Sequence, residues 1–192
     1  MRVIAGALGG RRLRAPVGRV TRPTSDRVRE AVFAMLGDVE RARVLDLFAG
    51  TGALGIEALS RGAARAVFVE RDAGAVRVLK GNIEALGIAA EVAEVRRGDA
   101  LEALRSAETA KETYDLVFID PPYGRARPTP SPSGQPIGER WGPELSAILP
   151  ALLSPGARVV VESDRRAPLE LDVPLERSKR YGDTSITIHR HQ

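Results

Sequence analysis

Residues 44–55 read Val-Leu-Asp-Leu-Phe-Ala-Gly-Thr-Gly-Ala-Leu-Gly, and this stretch decides the fold. Its first five residues are mostly apolar, which predicts a buried strand over 44–48. Gly50 and Gly52 then allow a tight turn whose backbone can approach a ligand without hindrance from Cβ atoms. The spacing Gly50-x-Gly52-x-x-Gly55 is that of a nucleotide-binding turn. This spacing alone is a weak signal, and the strand–turn–helix context strengthens it.

The chain on either side of this turn alternates between strand patterns and helical patterns. Helices are predicted between Asp26 and Gly37, over 53–59, between Asp72 and Gly87, around Leu101 and Leu104, and from Pro143 onward. Strands are predicted over 44–48, 66–69, 92–95, 116–119 and 159–161, with a closing hairpin of 175–181 and 185–189. Short strands and turns are expected over 1–20, and an irregular proline-rich loop over 125–138. The alternation predicts an α/β fold, a doubly wound and mostly parallel sheet with helices on both faces.

Carboxylates follow the predicted strands on both sides of the glycine turn. Glu70 ends the second strand, where an acid can accept hydrogen bonds from both hydroxyls of a ribose, and Asp99 ends the third, where it can accept from an adenine amino group. A nucleoside cofactor is therefore predicted, and both NAD and S-adenosylmethionine contain adenosine. Asp46, just before the turn, would repel a pyrophosphate and attract a cationic amino-acid tail, which favours S-adenosylmethionine. A cap on the backbone of the turn is the alternative role for Asp46.

A second motif, Asp120-Pro121-Pro122-Tyr123, follows the apolar run 116–119 directly. Two prolines end the strand and hold the Asp120 carboxylate and the neighbouring carbonyls rigidly in one place. These acceptors match an exocyclic amino group, which has two hydrogens to donate, and Tyr123 offers a flat face for stacking a base. The motif therefore predicts methylation of a base nitrogen, with Asp120, Pro121, Pro122 and Tyr123 as the catalytic residues.

Composition and charge restrict the other possibilities. The 192-residue chain has no cysteine and only two histidines, His189 and His191, which are expected to form a solvated tail, so no metal site is predicted. No signal peptide or membrane span is recognised, and a soluble cytoplasmic protein is expected. Residues 1–29 contain eight arginines and one acid, although the whole chain carries only +4. Such a basic arm on a mildly acidic body is typical of a nucleic-acid-binding protein.

These motifs together resemble the Rossmann-like class of S-adenosylmethionine-dependent N-methyltransferases. Within that class, residues 1–6, the stretch 22–30 (Arg-Pro-Thr-Ser-Asp-Arg-Val-Arg-Glu), 45–55 and the Asp120 motif resemble the RsmD family of small bacterial enzymes that methylate N2 of a guanine in 16S ribosomal RNA. The resemblance covers nearly the whole chain. It implies a seven-stranded methyltransferase fold over 37–192 and a small RNA-binding hairpin and helix over 1–36.

The resemblance also assigns residues to the cofactor and to RNA. The cofactor-binding residues are predicted to be Asp46, Phe48, Ala49, Gly50, Thr51, Gly52, Glu70, Asp99 and Ala100. The residues predicted to bind RNA are Arg11, Arg12, Arg22, Arg27 and Arg29, with an intrahelical ion pair as the alternative for Arg27. The expected partner is 16S rRNA within a 30S subunit or an assembly intermediate, bound by a monomer.

Three alternatives remain at this stage. An adenine-N6 methyltransferase acting on DNA or RNA would use the same two motifs, although the chain is short for a separate DNA-reading domain. An NAD-dependent oxidoreductase would leave the Asp120 motif idle. An RNA-binding protein without catalytic activity would explain the arginines and not the carboxylates at three strand ends.

Overall fold

The computed structural model of the protein describes residues 1–15, 25–122 and 137–192. Tyr123, Arg22 and nearly all of the proline-rich stretch lie outside the described residues. No helix in the described ranges has the length and apolar character needed to cross a membrane.

Seven strands and five α-helices make up the described chain. The helices are α1 (Asp26–Leu36), α2 (Ala53–Ser60), α3 (Ala73–Leu86), α4 (Ala100–Thr109) and α5 (Ile137–Ile148), and α5 is followed by a 3-10 turn at Leu149–Leu152. The strands are β1 (Arg43–Asp46), β2 (Arg65–Glu70), β3 (Ala93–Arg97), β4 (Tyr114–Ile119), β5 (Leu153–Asp164), β6 (Leu175–Tyr181) and β7 (Thr184–Arg190).

The strands form one sheet in the order β3-β2-β1-β4-β5-β7-β6. The first five in this order are parallel, and β7 runs antiparallel to both of its neighbours. The strand order reverses between β1 and β4, which is the point where open α/β sheets bind their ligands. The predicted Rossmann-like, seven-stranded α/β fold is confirmed.

Helices cover both faces of the sheet and bury a core on each. One core joins the N-terminal segment (residues 1–15), α1, α2 and α3 to side chains such as Phe68 and Phe118. The other joins α4, α5 and the 3-10 turn to the opposite side chains of the same strands, such as Val117 and Val159. Two-sided burial of this kind explains why the central strands read as continuous apolar runs.

Local capping rules account for most helix ends. The side chains of Ser25, Asp72 and Asp99 accept hydrogen bonds from backbone N–H groups in the first turns of α1, α3 and α4. Gly87, at a φ of 69°, ends α3 as predicted. The predicted start of α5 is wrong, because the helix begins at Ile137 and contains Pro143 in its interior. A proline removes one intrahelical hydrogen bond, and here the helix tolerates that loss.

The N-terminal segment is a loop attached to the helices, with one β-bridge between Arg2 and Arg12 in place of the predicted short strands. Its attachment depends on Glu57, a fully buried carboxylate on α2. Glu57 accepts hydrogen bonds from the N–H groups of Ile4 at 2.7 Å and Ala5 at 3.0 Å, and it pairs with Arg61 at 2.8 Å. The segment shares the core of the sheet, since Val3 and Leu13 belong to the cluster that contains Phe68.

Replacing Glu57 with alanine should therefore loosen the N-terminal segment and destabilise the protein. Two buried N–H groups and the Arg61 guanidinium would lose their acceptor, and we expect the free energy of unfolding to fall by about 3 kcal/mol. Urea denaturation measures the change. Glu108→Ala, an exposed substitution on α4, is the matched control and should stay within about 0.5 kcal/mol of the parent. Equal stability of the two variants would contradict the role of Glu57.

Candidate active site

The carboxyl ends of the parallel strands bring the two sequence motifs to one edge of the sheet. Asp46 is the last residue of β1 and lies level with Phe68 of β2 and Phe118 of β4. Glu70 ends β2, and Asp120 follows the last residue of β4. The glycine turn and the Asp120 motif therefore flank the point at which the strand order reverses.

The turn between β1 and α2 depends on glycine. Gly50 and Gly52 have positive φ values of 53° and 81°, which L-residues with side chains rarely adopt. A Cβ atom on Gly52 would lie 2.3 Å from Cδ1 of Leu79, so the turn packs directly on α3. A Cβ on Gly50 would meet only the carbonyl oxygen of Phe48, at 3.9 Å. The turn is thus closed on its inner side and open at Gly50, where a ligand can approach.

Glu70 ties the turn to the second strand. Its two carboxylate oxygens accept hydrogen bonds from the N–H of Gly50 at 2.9 Å and from the N–H of Asp72 at 2.7 Å. Its carbonyl accepts from the N–H of Gly98, just beyond β3, at 3.1 Å. The ends of three neighbouring strands meet through this residue. A carboxylate has about four lone-pair sites, so Glu70 keeps acceptor capacity for a ligand's hydroxyls.

Asp46 is a buried carboxyl group directly beneath the glycine turn. It is 2% exposed, and its Oδ2 accepts a hydrogen bond from the N–H of Gly55 at 3.1 Å. Burial raises the pKa of Asp46 to about 7; the Gly55 hydrogen bond opposes the shift and the charge of Glu70 adds to it. A cation placed beside Asp46 would restore its charged form.

Asp99 occupies the predicted position and also caps a helix. Its Oδ1 accepts from the N–H of Leu101 at 2.9 Å, which fixes the carboxylate at the start of α4. The next residue, Ala100, is buried among the apolar side chains of α4. Asp99 directly follows Gly98, whose N–H donates to the carbonyl of Glu70, so Asp99 lies at the same edge of the sheet as the other acids.

The second motif lies across the strand reversal from these residues. Asp120 is partly buried, Pro121 is buried and Pro122 is exposed. Phe48, beyond the end of β1, packs edge-on against Trp141 of α5, with ring centroids 5.0 Å apart. This aromatic pair joins the cofactor side of the edge to the helix that follows the Asp120 motif.

The structure separates the predicted RNA-binding arginines into two groups. The phosphate contact predicted for Arg29 is wrong, because this side chain is fully buried and binds the carbonyl of Arg2 and, at 3.0 Å, the carboxylate of Asp26. Arg11 is exposed, but its guanidinium donates to the carbonyls of Ala85 and Leu86 at the end of α3. The C-terminal end of a helix attracts cations, so Arg11 ties the N-terminal segment to α3. Arg29 ties the same segment to α1 through the carbonyl of Arg2.

The remaining described arginines of this set, Arg12 and Arg27, are exposed. The structure leaves both side chains accessible to RNA. Their contacts with RNA remain a prediction.

The solvated tail predicted for His189 and His191 is wrong at His189. His189 is buried on β7, where Nδ1 lies 2.8 Å from the carbonyl of Val173 and Nε2 lies 3.0 Å from Oγ1 of Thr187. The antiparallel pairing of β7 with β5 draws this residue into the sheet. Sequence position alone suggested a free end.

Asn82, the single asparagine of the chain, is a site residue that the sequence analysis missed. It is 2% exposed on α3, and its Nδ2 donates to the carbonyls of Thr51 at 3.0 Å and Arg14 at 3.1 Å. Its Oδ1 accepts from the N–H of Arg14 at 2.8 Å. Asn82 thus fastens the glycine turn and the basic N-terminal segment to the same helix. Its polar side chain on the buried side of α3, among apolar positions, was the available signal.

The strand order and the acid-lined glycine turn define the class: this is the Rossmann-like fold of the S-adenosylmethionine-dependent methyltransferases. The chain belongs to the family described as conserved hypothetical protein 95, which matches residues 1–190.

Relatives of the chain carry related names. YlbH of Bacillus subtilis, ascribed to the rRNA methyltransferases, is 37% identical over 99% of this chain and 98% of its own. Ribosomal RNA small subunit methyltransferase D of Escherichia coli is 42% identical over 65% of this chain and 61% of its own. The resemblance to the RsmD family and the expectation of a methyltransferase are confirmed.

Solved structures agree with this placement. The yhhF protein of Escherichia coli, ascribed to the methyltransferases, superposes with a TM-score of 0.79 at 32% identity, covering 100% of this chain and 98% of that one. An RNA methyltransferase from Salinibacter ruber in complex with S-adenosyl-L-homocysteine gives a TM-score of 0.62 at 25% identity, covering 88% and 92%.

Replacing Asn82 with alanine should release the turn and the basic segment together. The carbonyl of Thr51 and both backbone groups of Arg14 would lose their buried partner, at a cost of about 1–3 kcal/mol for each unsatisfied group. We expect amide exchange at Arg14 and Gly52 to accelerate at least about tenfold, with β4 unchanged. Hydrogen-exchange mass spectrometry with overlapping peptides measures this. Lys80→Ala, exposed on the same helix, is the control. Unchanged exchange at Arg14 would exclude the clamp.

Proposed function

We propose that this protein transfers a methyl group from S-adenosylmethionine to the exocyclic N2 of a guanine in 16S ribosomal RNA. One observation carries the proposal: the acid-lined glycine turn and the Asp120-Pro121-Pro122 motif lie at adjoining strand ends, on either side of the strand reversal. A cofactor held at the turn would face a base held at the motif. Relatives named as rRNA methyltransferases support RNA as the substrate.

The residues on the cofactor side fit S-adenosylmethionine. The turn is open at Gly50, and the Glu70 and Asp99 carboxylates suit the ribose hydroxyls and the adenine amino group. The buried Asp46 carboxyl suits a positively charged amino-acid tail and disfavours the pyrophosphate of NAD. The S-adenosyl-L-homocysteine complex of the Salinibacter ruber protein supports the same choice. Bound S-adenosylmethionine supplies an electrophilic methyl group on a sulfonium.

The protein's own contribution to catalysis is positioning and charge stabilisation. An exocyclic amino nitrogen is a poor nucleophile because its lone pair is delocalised into the ring. Asp120 and the carbonyl of Pro121 would accept its two hydrogens, turn the lone pair out of the ring plane and stabilise the positive charge that develops on nitrogen. As the new N–C bond forms and the bond between sulfur and the methyl carbon breaks, S-adenosyl-L-homocysteine would be left, and the Asp120 carboxylate would accept the proton that nitrogen loses. Tyr123 would stack on the base from outside the described residues.

The same acceptors would bind the N6 amino group of adenine, so an adenine-N6 methyltransferase is the second candidate. The names of the relatives favour a small-subunit rRNA enzyme over a DNA enzyme. We propose that a single copy of the protein acts on the 30S subunit or an assembly intermediate, where rRNA folding presents the target base.

The product nucleoside tests this proposal most directly. The protein should transfer label from S-adenosylmethionine to unmodified 16S rRNA or to 30S particles that lack the modification, and mass spectrometry of the digested RNA should identify N2-methylguanosine. Asp120→Asn should lower kcat by at least about a hundredfold, because the variant amide cannot stabilise developing positive charge. The affinity for S-adenosylmethionine should stay within about twofold.

Glu108→Asn serves as the matched control for Asp120→Asn, since it also exchanges a carboxylate for an amide, on the exposed surface of α4. Methyladenosine as the product would move the assignment to the second candidate. Transfer by Asp120→Asn at the parent rate would exclude Asp120 from catalysis.

Cofactor affinity should also depend on pH through Asp46. With a pKa near 7 in the free protein, this group is mostly protonated below pH 7 and must ionise to pair with a cation. Affinity for S-adenosylmethionine should therefore rise by up to about tenfold per pH unit from pH 5 to 7 and level off above. Titration calorimetry at pH 5.5, 6.5 and 7.5 measures the slope. Asp46→Asn should bind weakly with a flat profile, and an unchanged slope in this variant would assign the dependence elsewhere.

A further inference from the structure

The far end of the sheet carries exposed cations that the proposed function has not used. Strand β6 is the edge strand, and its residues from Leu175 to Arg180 are all exposed. It presents Lys179 and Arg180, while Arg165 and Arg166 lie exposed in the turn that follows β5. These four residues form the β5–β6 rim.

Backbone contacts bring the two parts of the rim to one corner of the sheet. The N–H of Arg165 donates to the carbonyl of Asp183, in the turn between β6 and β7, at 2.8 Å. Tyr181 of β6 lies opposite Thr184, which lies opposite Asp164 of β5. Tyr181, Thr184 and Asp164 thus form one row across the three strands. Arg180 comes just before Tyr181 in the chain, and Arg165 comes just after Asp164.

This corner lies on the same edge as the Asp120 motif. Ile119 of β4 pairs with Val161 of β5, so Asp120 is level with Glu162. Strand β5 continues to Asp164, and Arg165 follows directly, three residues after Glu162. At about 3.3 Å per residue, the rim begins about 10 Å beyond the target site. Because β4 separates β5 from β1, the rim lies on the opposite side of Asp120 from the glycine turn.

The rim cations are available for an anion. Within the described ranges, no carboxylate lies within salt-bridge distance of any of the four side chains. The ammonium group of Lys179 lies 5.5 Å from the ring centroid of Tyr181, a contact that leaves its charge unneutralised. The nearest acid along β6, Glu176, pairs with Arg177 at 3.8 Å, which is why Arg177 is not counted in the rim. The carboxylate of Asp164, in the same corner, accepts from the N–H of Arg166 at 2.8 Å.

The two faces of the edge strand share this charge. Lys179 lies opposite Ile186, whose side chain belongs to the core beneath α1, and Arg180 lies opposite Ser185 on the other face. A chain of phosphates that passes over the edge would meet cations on both faces. Arginine also binds phosphate oxygens through two parallel hydrogen bonds, which suits a sugar–phosphate backbone.

We propose that the β5–β6 rim binds phosphates of the RNA that flanks the target nucleotide, as a second RNA contact apart from the basic N-terminal segment. The inference rests on the proposed function, since it takes RNA as the substrate. The cofactor and the rim lie on opposite sides of Asp120, so RNA anchored at the rim would place a nucleotide over the Asp120 motif without crossing the acid-lined turn.

Two double charge reversals test the rim separately: Arg165→Glu with Arg166→Glu, and Lys179→Glu with Arg180→Glu. The matched control is Lys80→Glu with Arg105→Glu, which makes the same change of charge on exposed positions of α3 and α4. Filter binding of an unmodified 16S rRNA transcript from 50 to 300 mM salt gives the dependence of affinity on salt. Circular dichroism and S-adenosylmethionine titration establish that each variant is folded.

Each rim variant should bind the transcript about tenfold more weakly at 0.1 M salt, with a salt slope lower by about 1.4, as expected for two lost phosphate contacts on single-stranded RNA. The KM for RNA should rise, while kcat and the affinity for S-adenosylmethionine stay at the parent values. The control should keep the parent slope. Folded rim variants with the parent slope and KM would overturn the inference.

The same measurements distinguish a failure of the proposed function from a failure of the rim inference. A parent protein that binds the transcript and methylates neither naked RNA nor 30S particles would refute the proposed function, while the comparison of salt slopes would still decide whether the rim binds RNA. A loss of affinity equal in the rim variants and in the control would reflect net charge alone and would also overturn the inference.

Discussion

The left-handed glycine turn after β1 is the constraint on which the rest of the site depends. Gly52 has a φ of 81°, which favours glycine, and a Cβ there would lie 2.3 Å from Cδ1 of Leu79, so the turn sits directly on α3. That contact places the N–H of Gly50 against the carboxylate of Glu70 and the carbonyl of Thr51 against Asn82. The turn thus determines where three strand ends and the N-terminal segment converge.

The sign of the charge differs between the two sides of the strand reversal. On one side of the strand reversal, the carboxyl groups of Asp46, Glu70 and Asp99 point to a ligand with positive charge and hydroxyl groups. On the other side, beyond Asp120, the exposed cations suit a polyanion. A methyltransferase acting on RNA needs both environments close together. The parallel sheet provides them because all of its first five strands end at the same edge.

Features that follow from local rules could be predicted from the sequence. The apolar runs located the strands, and Asp72 and Gly87 marked the two ends of α3 because capping depends on a few neighbouring atoms. The strand-end acids were found because parallel strands bring their carboxyl ends to one edge of the sheet, however far apart those ends are in the sequence.

Arg29, Asn82 and His189 could not be placed in this way. The backbone groups that their side chains bind lie 16 to 68 residues away along the chain, and only the folded structure shows that these polar side chains are buried. An arginine that binds phosphate and one that binds a backbone carbonyl look alike in a sequence.

The attachment of the N-terminal segment has a consequence for the order of folding. Its hydrogen bonds to Glu57 and Asn82 join residues 52 to 68 positions apart, and such non-local contacts carry a high loop-closure cost and form slowly. During synthesis the basic segment emerges before α2 and α3, and its partners Glu57 and Asn82 follow several seconds later at about 5–20 residues per second. The basic segment therefore docks only after α2 and α3 have been made, and until then the nascent protein carries it as a free cationic stretch at the surface of the ribosome that makes it.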